Sequence, residues 1–146
     1  MSQNSITTSE FGKMNLDSSG QFYETEIDVP YLNSKTISIS AENIDIGTKI
    51  MKQFLSWFNL HHHTFKLPLE QEIQNYDLVW DEVWDSILGN DWVDANDGFL
   101  SDYLKYEYIN FFEGKIHLWV NTSGLHSDHL VNVTINEEMQ IECCEI

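Results

Sequence analysis

The acids are the groups in this chain most able to do chemistry. Asp77, Asp81 and Asp85 recur every fourth residue, with Glu82 beside them, and on a helix they would line one face. Two carboxylates held close together can run general acid–base or glycosidic chemistry. With 24 acids against seven lysines and no arginine, some proximity follows from abundance, and no pair stands out. Three consecutive histidines, His61 to His63, are the second candidate. Joined by His126 and His129 they could offer imidazole nitrogens to zinc, as a small metal enzyme or sensor would. Consecutive helical side chains diverge by about 100°, however, so the three do not grip one ion. The expectation is His61 half-buried at a helix end with its two neighbours in solvent, and no bound metal. Asp94-Ala95-Asn96-Asp97-Gly98 has the composition of a calcium loop but the wrong register. With Gly98 in the sixth position, Val93 and Ala95 fall where the first and third ligands belong. A turn at Asp97-Gly98 is the expected structure.

Other catalytic signatures are missing. The chain has no Gly-x-Ser-x-Gly elbow and no Gly-Lys-Ser/Thr phosphate loop. Cys143 and Cys144 are adjacent, so on a strand they point to opposite faces, and neither sits beside a lysine that would favour thiolate. An enzyme is not expected, and neither is a cofactor.

What remains is the charge itself. Between Glu70 and Glu113 lie twelve carboxylates and one basic residue, Lys105, threaded with Trp80, Trp84 and Trp92. Like charges at helical spacing cost stability. They serve solubility alone, or they serve a basic partner. The formal charge of −17 over 146 residues repels nucleic-acid backbones and anionic membranes. Such a field steers a cationic protein inward, while aromatic anchors hold it once docked. The expected contact surface is Asp77, Asp81, Glu82, Asp85, Asp91, Asp94 and Asp97, with Trp84 and Trp92 as anchors.

The elements follow from periodicity. Residues 1–9 are polar and read as a flexible N-terminal arm without the apolar core of a signal peptide. Residues 10–146 form a single domain. Tyr23 to Val29 and Ile37 to Ala41 alternate as strands around a turn at Pro30 to Ser34. Ile46, Ile50, Phe54, Trp57 and His61 recur at three or four residues, predicting a helix from Asn43 to His61. Pro68 suits the first turn of a second helix, whose inward stripe is Ile73, Tyr76, Trp80, Val83 and Ile87, ending at Gly89. Lys105 to Phe112 and Lys115 to Asn121 flank a Glu113-Gly114 turn, and His129 to Ile135 and Met139 to Glu145 flank Asn136 to Glu138. The expected fold is α+β, with two helices on one face of an antiparallel sheet. No apolar run reaches the roughly twenty residues of a membrane helix. A reduced, cytoplasmic and monomeric protein is expected.

Short stretches carry a family resemblance. Phe11-Gly12-Lys13 and Tyr23-Glu24-Thr25-Glu26-Ile27 resemble the opening of a group of uncharacterised bacterial domains. Gly89-Asn90-Asp91-Trp92, Ile109-Asn110-Phe111-Phe112-Glu113-Gly114 and Asp128-His129-Leu130-Val131 resemble its later part. The group's pattern has a glycine before the late histidine, where this chain has Asp128. Some members are similar to immunity proteins encoded beside polymorphic or contact-dependent toxins. The resemblance implies toxin neutralisation and assigns no residue roles; taken with the acidic charge, the expected function is an immunity protein that blocks a cationic toxin domain, a nuclease being the natural target.

Overall fold

The computed structural model describes residues 4–75, 104–122 and 130–145. Eight strands form one sheet, ordered along the chain: β1 (Ser5–Thr8), β2 (Gly12–Leu16), β3 (Phe22–Glu26), β4 (Thr36–Ser40), β5 (Lys105–Phe112), β6 (Lys115–Asn121), β7 (Val131–Ile135) and β8 (Ile141–Glu145). One helix, α1 (Ile44–Asn75), follows β4 through a short 3-10 turn, Ala41–Asn43. Ser5–Thr8, within the span read as an arm, pairs with β2.

Two features of the expected fold are corrected. The sheet is mixed rather than antiparallel, because β4 runs parallel to β5, with Ile37 opposite Ile109 and Ile39 opposite Phe111. Parallel neighbours need a crossover, and α1 begins it. The described residues also contain one helix rather than two, since α1 passes through Pro68 without ending. A mid-helix proline lacks an N–H and crowds the carbonyl four residues back. The helix continues because its buried stripe does. Met51, Phe54, Leu55, Phe58, Phe65, Leu69 and Ile73 are all buried, and the last two lie beyond the proline. Of the stripe expected for a second helix, Ile73 is buried at 2% exposure, and Tyr76, Trp80, Val83 and Ile87 lie outside the described residues.

α1 packs on one face of the sheet, reaching β4, β5, β6 and β8. Alternation sends Ile37, Ile39, Ile109, Phe111, Leu118, Val120, Val131 and Val133 to that face, each fully buried. Gly47 sets the approach distance. A Cβ there would lie 2.5 Å from Ile39 Cγ2 and 2.7 Å from Phe111 Cδ1, inside van der Waals contact. Tight turns close the C-terminal hairpins. Glu113 and Gly114 both have positive φ, at 54° and 80°, the requirement of a type I′ turn. In the next turn Asn136 Oδ1 accepts from the amides of Glu138 and Gln140 at 2.9 and 3.0 Å, while Met139 takes φ 64°.

Candidate functional sites

The face of the sheet turned from α1 is polar and aromatic. Strand register aligns Asn15, Glu24, Ser38, Asn110, His117, Thr134 and Cys143 in one row across seven strands. Ser38, Asn110, His117 and Thr134 in this row are buried, as is the adjacent Asn132. Buried polar groups need partners, and most are supplied locally. Ser38 shares a hydrogen bond with the Tyr108 hydroxyl, and Trp119 Nε1 donates to Asn110 Oδ1 at 3.1 Å. His117 Nδ1 lies 3.1 Å from Asn132 Oδ1, and its ring stacks on Phe112 at 3.9 Å. Among the described residues its buried Nε2 has no hydrogen-bond partner. An amide oxygen accepts, so Nδ1 is the donor in this pair.

Aromatic rings and acids frame the row. Phe22, Tyr108, Phe112 and Trp119 are half-buried on this face, with Phe22 edge-on to Phe112 at 6.3 Å. Glu24 and Asp17 stand near Tyr108. Burial is the main reason its phenol is held above the usual range, and these two negative charges add to it. Glu26 and Glu145 extend the same face on β3 and β8.

A second candidate lies at the other side of the molecule's charge balance. The loop from Pro30 to Lys35, one face of α1 and the ends of β5 and β6 enclose a cleft of about 670 Å³. The loop is fastened by Lys35, whose Nζ donates to the carbonyls of Val29 at 2.7 Å and Leu32 at 3.1 Å. It continues the parallel seam, with Asn33 N donating to Tyr106 O and Ser34 N to Glu107 O. This places Tyr31 flat on His62, ring centroids 4.0 Å apart, and edge-on to Phe58 and Tyr106. The Tyr106 hydroxyl donates to the His62 carbonyl. Burial drives the Tyr31 phenol up to about 12 and the Tyr106 phenol higher still. His62, His63, Lys66 and Lys105 complete the wall with Lys35, and Lys66 Nζ stands 5.7 Å from the Tyr106 ring centroid. Burial, and then the positive charges of His63 and Lys66, hold the His62 imidazole below its ordinary value.

The structure answers part of the expectation for the histidines. His61 is exposed, and His62 is the half-buried one, because α1 runs on past them and turns position 62 toward Tyr31. His61 leans on Trp57 at 5.0 Å while His62 stacks on Tyr31, so the two rings are committed to different neighbours. Among the described residues no three His, Cys, Asp or Glu side chains are grouped to hold a metal ion. His126 and His129 lie outside those residues, as do Asp77, Asp81, Glu82, Trp84, Asp85, Asp91, Trp92, Asp94 and Asp97.

Neither the polar row nor the cleft was singled out by the sequence. His62 and His63 lie four and three residues before Lys66, so each neighbours it on the helix surface, which spacing could have shown. Lys35 and Lys105 join them only through the β4–β5 pairing, for which no local signal exists. Among the described residues no helix is long and apolar enough to cross a membrane. No protein-family model, curated protein or solved structure matches the chain.

Proposed function

We propose that the chain is an immunity-type inhibitor that docks on a cationic toxin domain, a nuclease being the natural target, and covers its active site. The observation that carries this reading is the uncompensated charge. All seven lysines lie among the described residues, yet one lysine–carboxylate pair forms there, Lys115 with Glu142. The net −17 therefore acts outward, on whatever approaches. Acids interleaved with half-buried rings on the far face of the sheet have the composition of a steered, anchored contact. Asp77, Asp81, Glu82, Asp85, Asp91, Asp94 and Asp97, with Trp84 and Trp92, remain the proposed contact residues within the acidic segment. Glu24, Glu26 and Trp119 join them as candidates from the sheet.

Co-expression with the product of the neighbouring reading frame tests the proposal. Rescue of growth with stoichiometric co-purification supports it; a toxic neighbour that is neither bound nor neutralised refutes it. In the purified pair, D81N/D85N slows association about tenfold at low salt and far less at high salt, because steering is screened beyond a Debye length of about 8 Å at physiological ionic strength. Equal rates for variant and parent at both salts would remove these aspartates from the contact surface.

A further inference from the structure

We propose that the cleft between the Pro30–Lys35 loop, α1 and the start of β5 is a binding site for a small phosphate-bearing molecule. This site is independent of toxin binding and uses the opposite sign of charge. Three of the seven lysines and two of the six histidines of a −17 protein line this one cavity. The carboxylate among them, Glu107, is already held by amides. Its Oε2 accepts from Asn33 Nδ2 at 2.6 Å and its Oε1 from Asn121 Nδ2 at 3.1 Å. Lys66 and Lys105 make no ion pair among the described residues. Three lysines less one glutamate leave the cleft at +2 with both imidazoles neutral.

That charge matches a phosphate monoester, which carries about −1.5 to −2 at pH 7. Ammonium and imidazolium groups meet phosphate as point charges, as lysine does in phosphate-binding loops. A volume of about 670 Å³ is several times what a bare phosphate fills and suits a phosphorylated organic molecule. Burial first, and then the positive charges of His63 and Lys66, lower the proton affinity of His62, and a bound dianion offsets the charge contribution. By linkage, the ligand tightens as His62 takes up a proton, and it raises the His62 titration midpoint in return. The titratable groups that line the cleft with His62 are His63 and Lys66 on α1, Tyr31 and Lys35 on the loop, and Lys105, Tyr106 and Glu107 on β5.

The test uses the full chain and follows the imidazole resonances by NMR while titrating inorganic phosphate or phenyl phosphate, with H62Q to assign the signal. Saturable binding is expected, raising the His62 midpoint by about one unit, the linkage equivalent of about tenfold tighter binding to the protonated form. K66Q and K105Q each weaken binding about fivefold or more, and K13Q, outside the cleft, leaves it unchanged; circular dichroism confirms that all three fold. Tighter binding of the ester than of phosphate identifies a phosphorylated organic ligand, and equal binding identifies the free ion. No saturation, a response that chloride reproduces at equal ionic strength, or indifference to both K66Q and K105Q overturns the site.

Discussion

At the scale of single residues, position on a strand decides chemical character more than residue type does. Cys143 and Cys144 are neighbours, both unpaired, yet the sheet gives them opposite surroundings. Cys144 sits on the α1 side opposite Val133 at 3% exposure. Burial, with smaller contributions from Glu72 and Cys143, pushes its thiol up to about 12. Cys143 faces the other way and is half-exposed. A thiol reagent at pH 8 is therefore expected to titrate one cysteine in the native protein and the second only on unfolding. Two fast equivalents in the native state would show that α1 does not seal this part of the sheet. His62 has the opposite sense from a partnered histidine. Its folded value lies below its unfolded one, so its contribution to stability is present above the unfolded value near 6.5 and is lost as pH falls through the folded value.

At the scale of elements, Pro68 is the residue where local preference and tertiary packing disagree. Phe65, Leu69 and Ile73 hold the helix together across it, while Pro68 itself is exposed. Replacing it by alanine restores an N–H and removes a steric clash, so Pro68→Ala is expected to stabilise the protein by about 1–3 kcal/mol, the usual cost of an interior proline. Urea unfolding with an unchanged m-value measures this; a destabilised variant would mean the helix needs a kink there. Pro68 also explains a misreading. In sequence, a proline five residues past a histidine run resembles a start, and only the continuity of the buried stripe identifies it as interior. The hairpin strands were legible for the converse reason. Their alternation and the Glu113-Gly114 turn are local, and Lys105–Phe112 and Lys115–Asn121 appear at the expected bounds. The parallel pairing of β4 with β5 was not legible, because alternation is the same for either strand direction. The cleft depends on that pairing, so it was hidden as well.

At the scale of the whole molecule, charge repulsion opposes compactness. With −17 distributed over 146 residues, added salt screens the repulsion and stabilises the fold. The thermal midpoint is expected to rise by several degrees as sodium chloride goes from about 20 to about 200 mM, where the Debye length falls from roughly 20 to 7 Å. A flat response would mean that the acids are locally compensated, and the proposed recruitment of a cationic partner would lose its electrostatic basis. The two proposed surfaces respond oppositely to acid. Protonating carboxylates weakens attraction for a basic protein, while protonating His62 strengthens attraction for phosphate.

The seam between β4 and β5 has a consequence for synthesis. Strands β1 to β4 and all of α1 are synthesised before β5, so the apolar stripe from Met51 to Ile73 is made before β5, β6 and β8, most of its eventual seat. Until β5 to β8 arrive, nascent chains carry an unsheltered greasy ridge, the sort of transient species that chaperones capture. Speeding translation through the acidic stretch that separates the two halves would shorten that vulnerable interval and raise the soluble yield.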